Sequence, residues 1–317
     1  REIGFPLMLK AAAGGGGRGM RIAADERELL RLLPLAQAEA QAAFADGAVY
    51  AERYLENPRH IEIQIIADKH GKVLSLGERD CSMQRRHQKL IEEAPAPNIS
   101  RRLRSNLEKA AVKLARSIKY TGVGTFEFLV DRDEKYYFIE ANTRVQVEHP
   151  VTEMVTGFDI INWQIRVAAG EPLPFDQKDI RTTGHAIECR INAENPMTGF
   201  TPSAGVVTGY HAPGGPGIRI DSHLYSGYRI PPNYDSMIGK LIAWGATRED
   251  AIARMRRALS ETVISGVETT IPFHHFVLTH PDFRSGNVHT GLIGELLSNA
   301  DPAAMIESLP GLACPIV

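Results

Sequence analysis

Alternating apolar and polar positions, set between turn signals, predict a chain built largely of antiparallel hairpins with a few amphipathic helices. Residues 6–13 read as a strand, followed by a glycine run and a second extended stretch at 21–23. Asp25 is placed to cap a helix over 26–44, which Pro34 is expected to interrupt because its ring removes a backbone donor. Residues 49–55 read as a short strand. Residues 61–67 alternate and should pair with 73–78 across Asp68, Lys69, His70 and Gly71. A helix over 100–120, with Ser100 as its cap, precedes a second hairpin of 125–131 against 136–141. Residues 152–169 predict one helix closed by Gly170. Short strands follow at 185–192, 206–211, 218–222 and 236–244, then a helix from Thr247 to about Ile264. A soft boundary falls at 172–183, and the order of elements implies an α+β class.

The second hairpin carries the strongest chemical signal. If partner numbers keep a constant sum, Asp131 faces Tyr136, Val130 faces Tyr137, Phe128 faces Ile139 and Glu127 faces Glu140. Opposed Cβ atoms lie ~4.5–5.5 Å apart. Two carboxylates that close repel unless a cation or a shared proton sits between them. If the strand stays extended, Glu140, Asn142, Arg144, Gln146 and Glu148 share one face, against Ile139, Ala141, Thr143, Val145 and Val147 on the other. Glu127, Glu140 and Asn142 supply hard oxygen donors suited to Mg2+ or Mn2+, with phosphate oxygens completing the shell.

Composition narrows the function classes. The 317 residues are 43% hydrophobic and 23% charged, as in a globular protein with a sizeable core. A net charge of -2 implies no broad basic surface for nucleic acid. Cys81, Cys189 and Cys314 form no CxxC pair, which argues against a disulfide framework and for a reducing compartment. No apolar run approaches the ~18 residues of a membrane span, and no secretory signal pattern opens the chain. Residue 1 is Arg and runs at once toward an apolar strand, which reads as a truncated or trimmed start.

Two polar segments remain open on residues alone. Gly14-Gly15-Gly16-Gly17-Arg18-Gly19 lacks the P-loop signature and leads to an extended segment, so it reads either as a linker or as a flap whose amides cradle phosphate, with Lys10 nearby. Residues 79–89, rich in Arg and holding Gln84, His87 and Lys89, read as a basic loop on a hairpin: a solvated charge run, an anion site or a nucleic-acid contact.

Long motifs in a fixed order, at residues 10–20, 78–89, 138–153, 184–194 and 234–242, closely resemble the biotin carboxylases. The similarity runs from residue 1 to about 295. It implies an α+β ATP-grasp fold with a small glycine-flap lid and a large mixed or antiparallel lobe. The domains would be a lid at 1–55, a catalytic lobe at 56–175, a biotin carboxylase C-terminal domain at 176–298 and a tail of unassigned role at 299–317. The family's N-terminal domain, which precedes the lid, would be missing.

The resemblance also implies a reaction in which ATP phosphorylates bicarbonate to carboxyphosphate and the CO2 released carboxylates N1′ of biotin. By motif position, Lys10 and the flap glycines Gly15, Gly16 and Gly17 bind phosphate, and Glu52 to Leu55 line the adenine hinge. His60, Gln84 and His87 contact the nucleotide. Glu127, Glu140 and Asn142 hold the metals, expected to be two Mg2+ or Mn2+ ions. Lys89, Arg144, Gln146 and Val147 bind bicarbonate, Glu148 is its general base, and Arg190 stabilises the biotin enolate.

Implied partners are a biotin carboxyl carrier protein or domain, a second copy of the chain and the carboxyltransferase component, with no nucleic acid or membrane. The implied location is the cytoplasm, or the mitochondrial matrix in a eukaryote. The Met-Lys-Met biotinylation motif does not occur, so biotin would arrive as a carried substrate. Two alternatives are another ATP-grasp ligase, such as a carbamoyl-phosphate type, and a non-enzymatic assembly module.

Overall fold

The structure, a computed structural model, describes residues 3–14 and 20–299. Three strands form a small sheet: β1 (Leu7–Ala11) lies between β2 (Arg21–Ala23) and β3 (Val49–Arg53), both antiparallel to it. Helix α1 (Glu26–Phe44) covers this sheet, burying Leu32, Ala36 and Ala40. Asp25 caps it by accepting from the Glu28 amide at 2.8 Å. The helix is not broken at Pro34 but runs through it. The cost of one lost backbone bond is offset by the packing of Leu32 and Ala36 against Leu9 and Ala23.

The rest of the fold is organised by eight strands. They are β4 (Arg59–Ala67), β5 (Val73–Arg85), β6 (Gln88–Ala94), β7 (Gly122–Val130), β8 (Tyr136–Asn142), β9 (His185–Asn192), β10 (Ile218–Ser222) and β11 (Met237–Gly245). They form one antiparallel sheet in the order β10-β11-β9-β6-β5-β4-β7-β8. Helix α2 (Arg101–Ser117) starts at Ser100, whose hydroxyl accepts from the Leu103 amide at 3.0 Å. Its Leu103, Leu107, Ala111 and Ala115 recur at helical spacing and pack on Ile61, Ile63, Phe126 and Phe128. The intervening strand positions, Glu62 and Glu127, therefore project to the other side of the sheet, where the polar cluster described below collects.

The expected single helix over 152–169 is two helices, α3 (His149–Thr156) and α4 (Ile160–Ala168). Gly157 takes a left-handed φ of 68° and ends the first, and Asp159 caps the second by accepting from the Asn162 amide at 2.8 Å. The strand expected at 206–211 is likewise two short pieces, Gly205–Val206 and Gly209–His211, which pair with different partners. Helices α5 (Arg248–Glu261), α6 (Ile271–Thr279), α7 (Pro281–Ser285) and α8 (Leu292–Asn299) complete the described chain. The sheet runs straight through the soft boundary, because β6 pairs with β9 through Ile91 with Cys189 and Glu92 with Glu188.

A buried clamp reinforces that seam. The Glu93 carboxylate meets His185 Nε2 at 2.7 Å and accepts from Arg248 Nε at 2.7 Å and Nη2 at 3.1 Å, tying β6 to β9 and α5. Burial alone would raise the Glu93 carboxyl, but the His185 bond and the Arg248 charge override it and hold it at about 2. The folded value lies below the ordinary 4.5, so the stability it confers is full above pH 4.5 and is lost as pH falls through about 2. Glu93→Gln should therefore cost about 3 kcal/mol near neutrality. Urea midpoints of the two proteins should converge on acidification; a gap independent of pH would contradict the clamp.

Candidate active site

The acidic hairpin positions Glu127 and Glu140 opposite each other, by a route the constant-sum register does not describe. Near the turn Val130 pairs with Tyr136, Leu129 with Tyr137 and Phe128 with Phe138, one residue off the expected partners. A bulge between Phe128 and Glu127 then absorbs Ile139, and Glu127 faces Glu140. The Asn142 amide lies between the two carboxylates, donating to Glu127 Oε1 at 2.9 Å and Glu140 Oε1 at 3.1 Å.

The strand does not continue as one extended row, because β8 ends at Asn142. Residues 143–148 curl into α3, with Pro150 in its first turn and the Gln146 carbonyl accepting from the His149 amide at 3.4 Å. The curl brings the later members back. Gln146 Nε2 donates to Glu127 Oε1 at 2.8 Å, and Glu148 is buried beside Lys89 of β6 and Arg190 of β9. Arg144 stays exposed, with Nη2 3.4 Å from Asn142 Oδ1.

Residues 79–89 are not a loop. Strand β5 runs to Arg85, β6 begins at Gln88, and Arg86 and His87 form a tight turn with φ of 49° and 66°. Two successive left-handed residues match the right-handed twist of the flanking strands. Residues 79–84 are all buried, so the solvated and nucleic-acid readings do not apply to them. Arg79 donates to Glu62 Oε1 at 2.6 Å, Gln64 at 2.7 Å, Thr152 at 3.0 Å, Gln146 at 3.2 Å and Thr125 at 3.3 Å. Lys89 Nζ reaches three carboxylates: Glu62 at 2.6 Å, Glu148 at 2.7 Å and Glu127 at 3.0 Å.

Arg190 rises from β9 and donates to Glu92 at 2.5 Å through Nε and to Glu148 Oε2 at 2.9 Å through Nη2. Lys240 on the neighbouring β11 donates to the Val147 carbonyl at 2.7 Å and fixes the backbone just before Glu148. His60 meets Glu127 Oε2 at 2.7 Å through Nε2 and Gln84 Nε2 at 3.3 Å through Nδ1.

The electrostatics follow from this packing. Burial alone would raise the Glu127 carboxyl, yet the His60 bond and the Lys89 charge hold it well below the ordinary range. Glu62 is likewise lowered against its burial, by Arg79 and then Lys89. Burial would lower Lys89, but the anionic groups around it raise it further. Burial lowers His87, with a smaller contribution from Lys10. Cys81 and Cys189 are fully buried thiols pushed upward by desolvation, as packing residues are. Cys314 lies outside the described residues.

One cavity of about 720 Å³ lies between the small sheet and the large one. Lys10, Glu52, Leu55, His60, Gln84, His87, Lys89, Glu127, Glu140, Asn142, Arg144, Gln146, Val147, Glu148 and Arg190 all line it. Gly15, Gly16 and Gly17 lie outside the described residues. Lys10 and Glu52 form an ion pair at 2.5 Å across the β1–β3 pairing. Sequence reasoning missed Glu62 and Glu92 and read Arg79 only as part of a charge run. Glu62 had a usable signal: it alternates with Ile61 and Ile63, and on its strand it faces Glu127.

The ATP-binding domain model of the carbamoyl-phosphate synthase L chain matches residues 1–176, and the biotin carboxylase C-terminal domain model matches 188–295. A biotin carboxylase of Nostoc sp. is 56% identical over 296 residues, covering 93% of this chain and 66% of the relative. A biotin carboxylase of Allochromatium vinosum is 58% identical over 291 residues, covering 91% and 64% respectively. The biotin carboxylase domain dimer of Hydrogenobacter thermophilus 2-oxoglutarate carboxylase, solved with MgADP, ADP and bicarbonate, superposes with a TM-score of 0.90 at 51% identity. That match covers 96% of this chain and 66% of the other. The chain thus spans somewhat less than two thirds of the proteins it matches.

Proposed function

Because this chain belongs to the biotin carboxylase family and carries its ATP-grasp and C-terminal domains, we propose that it serves the ATP-dependent carboxylation of biotin by bicarbonate. The observation that carries this reading is the meeting of Lys89, Glu148 and Arg190 beside the Glu127–Glu140 carboxylate pair in one cavity. A carboxylate base flanked by two fixed cations is what a small anion needs in order to bind, lose a proton and attack a phosphoryl group.

Lys10 and the glycine flap contact the phosphates, Glu52 to Leu55 border the base, and His60, Gln84 and His87 hold the nucleotide's remaining polar edge. The donors fit a hard divalent cation: two opposed carboxylates and an amide side chain converge on the cavity. Glu127, Glu140 and Asn142 would hold Mg2+ or Mn2+, which when bound supplies positive charge to the phosphate oxygens. Lys89, Arg144, Gln146 and the Val147 backbone orient bicarbonate, and Glu148 takes its proton. Arg190 then faces the ureido oxygen of biotin, where negative charge develops as N1′ is carboxylated. Biotin arrives on a carrier, and a carboxyltransferase takes the carboxyl group onward to the final acceptor.

In the full-length enzyme, ATP hydrolysis should require bicarbonate and rise with free biotin. Hydrolysis indifferent to bicarbonate, or dependent on an amine, would instead indicate a carbamoyl-phosphate type of ligase.

A further inference from the structure

Beneath Arg190 lies a pair of carboxylates that the proposed reaction does not use. Glu92 on β6 and Glu188 on β9 are direct cross-strand partners, and both are fully buried. Directly opposed side chains of this kind stand ~4.5–5.5 Å apart at Cβ. Glu92 Oε1 holds Arg190, but Glu92 Oε2 and both Glu188 oxygens have no hydrogen-bond partner among the described residues. Three buried acceptors without a donor are costly if both groups are ionised, and two negative charges at this separation add to the cost. One proton on Glu188 reduces both penalties, because it turns one orphaned oxygen into a donor for another and halves the charge.

We propose that Glu92 is the positioning residue for Arg190 and that it remains a carboxylate because Glu188 carries the pair's single proton. The proposal rests on the functional reading only for what Arg190 does. Glu92 Oε1 lies 2.5 Å from both Nε and Nη2 of the guanidinium, and Glu148 Oε2 shares Nη2 at 2.9 Å. When Glu148 gains the bicarbonate proton, its hold on Nη2 weakens while the Glu92 contact persists. Nη2 then has one acceptor fewer, while the Glu92 contact keeps the guanidinium aimed into the cavity, ready for the ureido oxygen.

The charged groups that bear on the pair are Arg190 on its own strand, Lys240 on β11, Lys89 on β6 and Glu148 ahead of α3. Burial is the main influence and raises both carboxyls; the Arg190 charge opposes it at Glu92, whereas at Glu188 the negative Glu92 adds to it.

Two measurements test this. The infrared spectrum of this chain at about pH 8, well above the ordinary carboxyl range, should show the carbonyl stretch of a neutral buried acid that Glu188→Gln abolishes. No such band, or one that survives Glu188→Gln, overturns the shared proton. In the full-length enzyme, Glu92→Gln should lower biotin carboxylation by about 10- to 100-fold relative to bicarbonate-dependent ATP cleavage, with Glu92→Asp falling between it and the parent. Equal loss of both activities, or no loss, overturns the positioning role. If the parent enzyme shows no bicarbonate-dependent cleavage, the functional reading fails while the infrared result still decides the shared proton.

Discussion

Glu148→Gln is expected to lower bicarbonate-dependent ATP hydrolysis by a factor of about 10² to 10⁴, the usual worth of a positioned base, while nucleotide still binds. Glutamine keeps the size of the side chain but cannot accept the proton. The surroundings tolerate the exchange because each cation that faces Glu148 has another anionic partner. Lys89 retains Glu62 and Glu127, and Arg190 retains Glu92. The loss should therefore appear in kcat, with thermal stability little changed. Nucleotide affinity by calorimetry and turnover by phosphate release separate the two quantities. Turnover close to that of the parent would remove Glu148 from the role of base.

Arg79→Met should be the most damaging single change to the fold, costing roughly 3–5 kcal/mol, the usual penalty for removing one partner of a buried ion pair. Arg79 is fully buried and its guanidinium donates to five side chains drawn from β4, β7, α3 and the segment before α3. Methionine fills much of the volume but leaves the Glu62 carboxylate with Lys89 alone. Against a total stability of about 5–15 kcal/mol, urea denaturation should reveal the loss directly. A cost under about 1 kcal/mol, against that usual penalty, would mean that the network re-forms around another donor. Either outcome also bears on the site, because Gln146 bridges Arg79 and Glu127.

Much of the architecture was legible because it depends on local rules. Period-two alternation located β4 and β9, flanking Gly and Pro turns located β10, and the hydroxyl and carboxylate caps at Ser100, Asp25 and Thr247 fixed three helix starts. The facing of Glu127 and Glu140 was legible as well, though a constant-sum register misplaces the pairs nearer the turn. A bulge depends on how the Ile139 segment packs, which no two-residue period encodes. The row ending at Glu148 was wrong in geometry, because the chain leaves the strand after Asn142 and curls into α3 where simple alternation extends it; its members still line the cavity, together with Ile139 and Val147 from the face called opposite.

Other features depend on contacts distant in sequence. A run containing Arg79, Arg85, Arg86 and Lys89 looks like a solvated surface until the strands on either side bury its first half. Glu92 carries no signal in the sequence until β9 arrives beside it. The motifs themselves point toward the family, but the cavity that gathers their residues exists only once the small sheet and the large one face each other.

The pairing of β6 with β9 has a consequence for how the chain is made. The partners are separated by α2, β7, β8, α3 and α4, so the contact closes late and over a long loop. Until it closes, β6 is an open edge carrying Leu90 and Ile91, a ready template for another nascent chain. Expressing residues 1–176 alone would make that interval permanent. The two regions matched by separate family models thus share one continuous sheet, in which a strand from the second half covers the open edge of the first.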